Sequence, residues 1–190
     1  MIKYSGGVPA GIVDRALEAA IHAPNHFLNE PWRFRILGKA TKAKIIALNE
    51  AKKELFEPVP GWMLVTLVPT AGDEKWNPKA LEDHAACACA VQNFMLSLAS
   101  EGYGSKWMTG AMGSPAAKIM EACGADDSKE HFMGVIFYGR PATPSEPPQR
   151  AAPPQLAAPP RLTAPPHRLP LTLRWSPPIV RSIRDAGADA

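Results

Sequence analysis

At 190 residues and a formal charge of +3, the chain is long enough to bury one substantial core and too weakly basic to mark a nucleic-acid-binding surface. Even that charge is local, because Arg150, Arg161, Arg168, Arg174, Arg181 and Arg184 face only Glu146, Asp185 and Asp189, which leaves residues 1–140 close to neutral. No apolar run nears the roughly 20 residues that span a bilayer, and Met1–Gly7 holds no hydrophobic signal segment, so a soluble cytoplasmic protein is predicted unless an upstream segment carries an address.

From Pro9 to Ala23, apolar residues fall at Ile12, Val13, Ala16, Leu17, Ala20 and Ile21, the spacing of one buried helical stripe. Pro24 ends it, since the residue before a proline is pushed out of the α region. A short polar loop follows. Trp32, Phe34 and Ile36 then alternate with Arg33 and Arg35, a strand with one buried face. Lys42–Leu55 reads as a second helix, Pro58–Gly61 as a turn, and Trp62–Val68 as a more fully buried strand.

Asn77-Pro78 has the form of a helix start, and the Ala-rich run from Lys79 to Ser100 predicts a central helix buried on several faces. Ser105–Met108 reads as a short strand, Ser114-Pro115 opens a short helix that stops at Gly124, and Phe132–Tyr138 is a last strand. Strands interleaved with helices predict an α/β or α+β sandwich. Thirteen of the 21 prolines lie between Pro141 and Pro178, in Ala-Pro-Pro runs without an apolar period until Leu169. Residues 142–190 are therefore read as a Pro/Ala/Arg-rich tail, predicted to be disordered, appended to a domain at 1–141.

Three cysteines, Cys87, Cys89 and Cys123, have no C-x-x-C spacing, so neither a zinc site nor a disulfide framework follows. Cys87 and Cys89 sit two apart on a predicted helix and point to different faces.

Two segments are candidate sites. The first, His22 to Trp32, gathers His22, Asn25, His26 and Asn29 in a loop after a helix break. It is either a ligand loop or a plain helix-to-strand connection whose asparagines cap the backbone. The second, Glu101 to Gly110, has glycines that permit close backbone approach, with Lys106 and Thr109 able to meet a phosphate or a ring edge. It reads equally as a helix C-cap before a strand. Gly102-x-Gly104 lacks a third glycine and follows a helix, so it is not a dinucleotide fingerprint.

The helix ending in Ala23-Pro24, the Pro31-Trp32-x-Phe34 strand, the Ala-rich helix with Gln92-Asn93, the Gly102-x-Gly104-x-x-Trp107 stretch and Gly134-x-x-x-Tyr138-Gly139-x-Pro141 occur in one order. In that order and spacing, over roughly residues 9–141, the chain resembles short members of the FMN-dependent nitroreductase family. The resemblance implies an α+β, three-layer sandwich whose central four- to five-stranded, mostly antiparallel sheet is flanked by helices. It also implies a homodimer with FMN at the subunit interface and NAD(P)H as reductant. His22, Asn25, His26 and Asn29 of one chain would touch the flavin, and Trp107, Met108 and Thr109 of the other. The small-molecule acceptor would be a nitro compound, a quinone or a relative of these. The flavin carries the chemistry in such proteins, so no catalytic dyad or nucleophile is expected.

Two features depart from the family. Its members open with an Arg-Arg-Ser-x-Arg-like segment that grips the FMN phosphate, where this chain offers Lys3, Ser5 and Arg15. Each lost charge-assisted bond would cost about 1.5–3 kcal/mol, and a truncated N-terminus is the expected cause. Arg181-Ser182-Ile183-Arg184 matches that motif's core, but in the tail. The tail also motivates the alternative of a degenerate fold acting as an interaction module through Pro141-x-x-Pro144 and Pro144-x-x-Pro147, although the basic residue flanking most SH3 ligands is missing.

Overall fold

The apolar stripe read from the sequence folds Ala10–Ile21 into α1, which buries Val13, Ala16, Leu17 and Ala20. The computed structural model describes residues 3–70 and 78–143, together with the backbone of 183–184. Along the chain, β1 (Tyr4–Gly6), α1, β2 (Trp32–Ile36), α2 (Lys39–Ala47), α3 (Lys53–Phe56) and β3 (Gly61–Leu67) come first. They are followed by α4 (Pro78–Ser100), β4 (Gly104–Met108), α5 (Ala116–Ala122), β5 (His131–Pro141) and β6 (Ile183–Arg184).

The sheet is built on β5, which pairs antiparallel with β3, β4 and β1, while β3 pairs antiparallel with β2. Among the described strands, only β6 runs parallel to its neighbour, β2. Because side chains alternate along a strand, the two faces of the sheet carry separate cores. Met63, Val65 and Leu67 of β3 and Ile136 and Tyr138 of β5 pack with α1 and α4. Trp62 and Leu64, with Val135 and Phe137, pack with Ile45, Phe56, Ile119 and Met120 from α2, α3 and α5. The result is the three-layer α+β sandwich expected, with a mostly antiparallel sheet.

Two local expectations needed correction. The helix predicted over Lys42–Leu55 is interrupted at Asn49, where φ is −153° and the chain passes through a 3-10 turn at Glu50–Lys52 before α3. The Asn49 amide donates instead to the Gly113 carbonyl at 3.0 Å, a side-chain bond that competes with helical geometry. Second, α4 is buried on one stripe only (Asp83, Ala86, Cys87, Ala90, Val91, Phe94 and Leu98), because α1 and the sheet cover a single side of it. Leu81 and Leu96 stand exposed on the other. β1 and β6 have no apolar alternation to announce them. β6 lies within the predicted disordered tail, aligned with Arg35 and Ile36 of β2; the rest of residues 144–190 lies outside the described residues. Cys87 is buried and Cys89 exposed, as their spacing required. Among the described residues no helix is long and apolar enough to cross a membrane.

Candidate functional site

The loop between α1 and β2 is braced by its own asparagines. Asn25 Nδ2 donates to the Ala23 carbonyl at 3.1 Å, and Asn25 Oδ1 accepts the Glu30 N–H at 3.0 Å, closing the loop upon itself. Arg33 adds a second tie by donating to the Glu30 carbonyl at 3.0 Å. Asn29 turns inward: its Nδ2 donates to Asp83 Oδ1 at 2.6 Å and to Thr70 Oγ1 at 3.3 Å. Since an ionised carboxylate only accepts, Asp83 fixes which way the Asn29 amide faces. The opposite atom, Asn29 Oδ1, is buried without a partner among the described residues.

Asp83 is the centre of this latch. It is 1% exposed and also accepts the Thr70 N–H at 2.9 Å and the Thr70 hydroxyl at 2.7 Å. Burial alone pushes its carboxyl pKa up. The Thr70 and Asn29 hydrogen bonds and the charge of Lys79 outweigh that and hold it below the ordinary 3.8. Local spacing carries no hint of this role, because an acid in the first third of a helix reads as a solvated group.

With both asparagines turned in, the loop presents other residues outward. Phe27 is 90% exposed and Leu28 81%. Phe27, Leu28 and Glu30 all take positive φ (48°, 55° and 45°), the left-handed region that side-chain-bearing residues avoid. Each such residue costs about 1–3 kcal/mol and persists only where its surroundings over-determine it. The braces described above do so. His26 joins the outward face: its Nδ1 lies 3.2 Å from Glu82, and its ring meets Phe27 edge-on at 4.3 Å. His22, at the C-terminal end of α1, is exposed as well.

The second candidate segment ends β4. Trp107 is half-buried and its Nε1 donates to the Met133 carbonyl at 2.9 Å. Gly134 makes room for this indole: its φ is 139°, and a Cβ there would collide with Trp107 Nε1 and come within 2.8 Å of the Met108 carbonyl. The Met108 side chain is buried in the core beneath α5 and fills that layer. Thr109 is exposed, with φ −126° and ψ −110°, and precedes the 3-10 turn Gly110–Met112.

The fold sets the two segments at one end of the sheet but at different strands. Trp32 of β2 aligns with Leu67 of β3, and Met108 of β4 with Val135 of β5, while β3 and β5 lie between. Three strand spacings of about 4.8 Å put roughly 14 Å between the two lines of backbone.

A flavin needs ring surfaces, polar partners for its rim and cations for its phosphate. His26, Phe27 and Thr109 meet the first two needs, and their exposed, outward faces fit the ring system. Of the described arginines, three are engaged by acids or backbone carbonyls and Arg140 by a neutral hydroxyl. Arg15 is bound to Glu101 at 2.6 Å, Arg33 to backbone carbonyls, Arg35 to Glu130 at 2.6 Å, and Arg140 to the Tyr103 hydroxyl at 3.1 Å. Among the described residues no group of three or more histidines, cysteines or acids is placed to hold a metal ion.

Residues 65–140 match the family model described as Nitroreductase family. The chain is 31% identical over 152 residues to YfhC of Bacillus subtilis, named as a candidate NAD(P)H nitroreductase, with 70% of this chain and 75% of that protein covered. It is 22% identical over 137 residues to YdjA of Escherichia coli, similarly named, covering 66% and 73%. A candidate nitroreductase from Desulfovibrio desulfuricans solved in complex with FMN superposes with a TM-score of 0.65 at 25% identity, over 79% of this chain and 86% of that one. A nitroreductase-like protein from Bacillus cereus superposes at 0.67 with 20% identity, over 80% and 86%. Carried by the three-layer fold, by the Ala-Pro loop entering Pro-Trp-x-Phe and by identity spread over most of both chains, the assignment is plain: the chain belongs to the nitroreductase family.

Proposed function

We propose that the protein is an FMN-dependent NAD(P)H oxidoreductase that works as a homodimer, with residues 1–141 as the catalytic unit and 142–190 as an appended tail. The observation that carries this reading is the separation of the braced His26 loop on β2 from the Trp107–Thr109 segment on β4. In a dimer, one flavin can touch both by drawing one segment from each of two chains. Helix α4 supports the pairing. From His84 to Ser100 it bears no Asp, Glu, Lys or Arg, yet Leu96 and Cys89 on that stretch face outward. An exposed helical face without charge over that length is characteristic of a covered one.

When bound, FMN supplies hydride chemistry between NAD(P)H and a nitro, quinone or related small acceptor. This chain's part is positional. Asn25, Asn29 and Asp83 hold the loop, His26 and Phe27 offer ring surfaces to the isoalloxazine, and Thr109 offers a hydroxyl to its rim. His22 sits where α1 delivers the loop. The Met108 side chain contributes by packing β4 onto α5.

The test is direct. Purified protein titrated with FMN should take up one flavin per chain, sediment as a dimer, and bleach on anaerobic addition of NADH or NADPH. Protein that stays colourless at FMN concentrations of about 100 μM sinks the reading.

A further inference from the structure

We infer that Asn49 and Lys52 are positioning residues for the flavin: from the corner between α2 and α3 they hold the exposed turn Gly110–Met112, and with it Thr109. This rests on the flavin reading above and adds to it two residues from outside both candidate segments.

Thr109, Gly110, Ala111 and Gly113 are exposed, and within this stretch Met112 alone, at 1% exposure, is anchored in the core. A turn this short makes few bonds of its own. The Met112 N–H donates to the Thr109 carbonyl at 2.9 Å and the Gly113 N–H to the Gly110 carbonyl at 3.0 Å. The carbonyls at its far end are taken by another layer of the fold. Asn49 Nδ2 donates to the Gly113 carbonyl at 3.0 Å and reaches the Met112 carbonyl at 3.5 Å, while the Lys52 ammonium donates to the Ala111 carbonyl. Three successive carbonyls are thus held by two side chains three residues apart.

Both sides of this contact are shaped for it. The break at Asn49, with φ −153°, and the 3-10 turn Glu50–Lys52 bring the two donors to one corner. Lys52 is half-buried, its ammonium 5.8 Å from the centre of the Phe56 ring. Across from them, Gly113 has φ 71°, and a Cβ there would come within 2.6 Å of Asn49 Nδ2 and 3.2 Å of Lys52 Nζ. A residue without a side chain supplies both the left-handed backbone and the room for the donors.

Thr109 opens the turn, because its carbonyl receives the Met112 N–H. The place of its hydroxyl therefore depends on where the turn is held. A loop ordered before the cofactor arrives spares the binding step the cost of ordering it. Cutting the ties on the α2–α3 side loosens Thr109 without altering any side chain proposed to meet the flavin.

The experiment compares three variants. Lys52→Met keeps an unbranched side chain and loses the donor, and Lys52→Arg keeps a donor. Asn49→Ser is too short to reach Gly113 but retains the tendency to leave a helix. Hydrogen exchange at residues 110–113 is followed in flavin-free protein, and FMN affinity by quenching of flavin fluorescence. In Lys52→Met and Asn49→Ser the exchange should speed up and the FMN Kd rise, each about tenfold, while the thermal midpoint falls by less than about 5 °C. Lys52→Arg should stay near wild type in all three. An unchanged Kd in both Lys52→Met and Asn49→Ser, whatever the exchange does, leaves the two residues a purely structural role and overturns the inference while the flavin reading stands. So does a Kd that rises as far in Lys52→Arg as in Lys52→Met, which would detach the effect from the donated bond. A wild-type protein that binds no FMN overturns the flavin reading and the inference with it.

Discussion

Asn29 and Asp83 lie 54 residues apart in sequence and meet through a 2.6 Å hydrogen bond that joins the α1–β2 loop to the start of α4. The carboxylate gathers three donors from two residues, the Asn29 amide and the Thr70 N–H and hydroxyl, so the loop, the segment after β3 and the helix are held by one buried group. The loop's outward face owes its rigidity to this inward one.

Removing either half of the latch should therefore loosen the loop before it unfolds the domain. Asn29→Ala is expected to cost about 1–3 kcal/mol, because Asp83 loses a donor while staying buried. Asp83→Ala should cost more, since Thr70 and Asn29 are then left with unmatched donors. Urea denaturation measures the loss. Hydrogen exchange should speed up selectively at residues 25–30. A uniform speeding across the sheet would mean that the latch serves the whole core.

Asp83 and Glu130 also set an acid limit on stability. Burial pushes Glu130 up, but the bonds from Arg35 and Thr66 and the charges of Arg35 and Arg33 hold it below the ordinary 4.5. Both carboxyls titrate lower in the folded chain than in the unfolded one. Their contribution is therefore complete above pH 4.5 and is lost as pH falls through the depressed folded values. Thermal midpoints should be flat from pH 7 to 5 and fall below pH 4. In Asp83→Asn that fall should be shallower, from a lower starting midpoint; an identical slope would remove Asp83 from the account.

Arg35 and Glu130 form a bidentate pair with side chains 9% and 12% exposed. Breaking such a pair from one side leaves a buried charge alone and costs about 3–5 kcal/mol, whereas replacing both ends by apolar groups is far milder. Arg35→Met and Glu130→Leu should each be strongly destabilising, and the double variant markedly less so than either. Additive losses in chemical denaturation would show that the two charges act independently.

The order of α1, β2, β3, α4, β4, α5 and β5 was legible because each carries its own local signal: a helical stripe, a two-residue alternation or a Pro or Gly stop. β1 and β6 carry none; each exists only through the strand it pairs with. The same divide runs through the site. The Ala-Pro loop and the Trp107 stretch were visible as composition, and the loop's helix-break position was read correctly. That Asn25 and Asn29 face inward depends on Glu30 and on Asp83, and that Met108 faces the α5 layer depends on its register opposite Val135. A partner fixed by tertiary contact leaves no trace in local spacing. Asn49 is the intermediate case, a residue whose tendency to leave helices was in the sequence but whose acceptor, Gly113, was not.

The tail provides the last expectation. β6 is two residues long and is bonded along the outer edge of β2, with Ile183 aligned to Arg35 and Arg184 to Ile36. Neither described core cluster contains a residue beyond Tyr138. Deleting residues 151–190 removes the β6 ladder, one or two hydrogen bonds each worth about 1 kcal/mol. The remaining domain should unfold cooperatively with a midpoint lower by about 2–8 °C. It should also self-associate more readily in concentration-dependent light scattering, because the β2 edge is then uncovered. A non-cooperative melt would assign the tail to the core. A cooperative melt combined with loss of FMN uptake would give the tail's arginines, Arg181 and Arg184 among them, a phosphate-binding role.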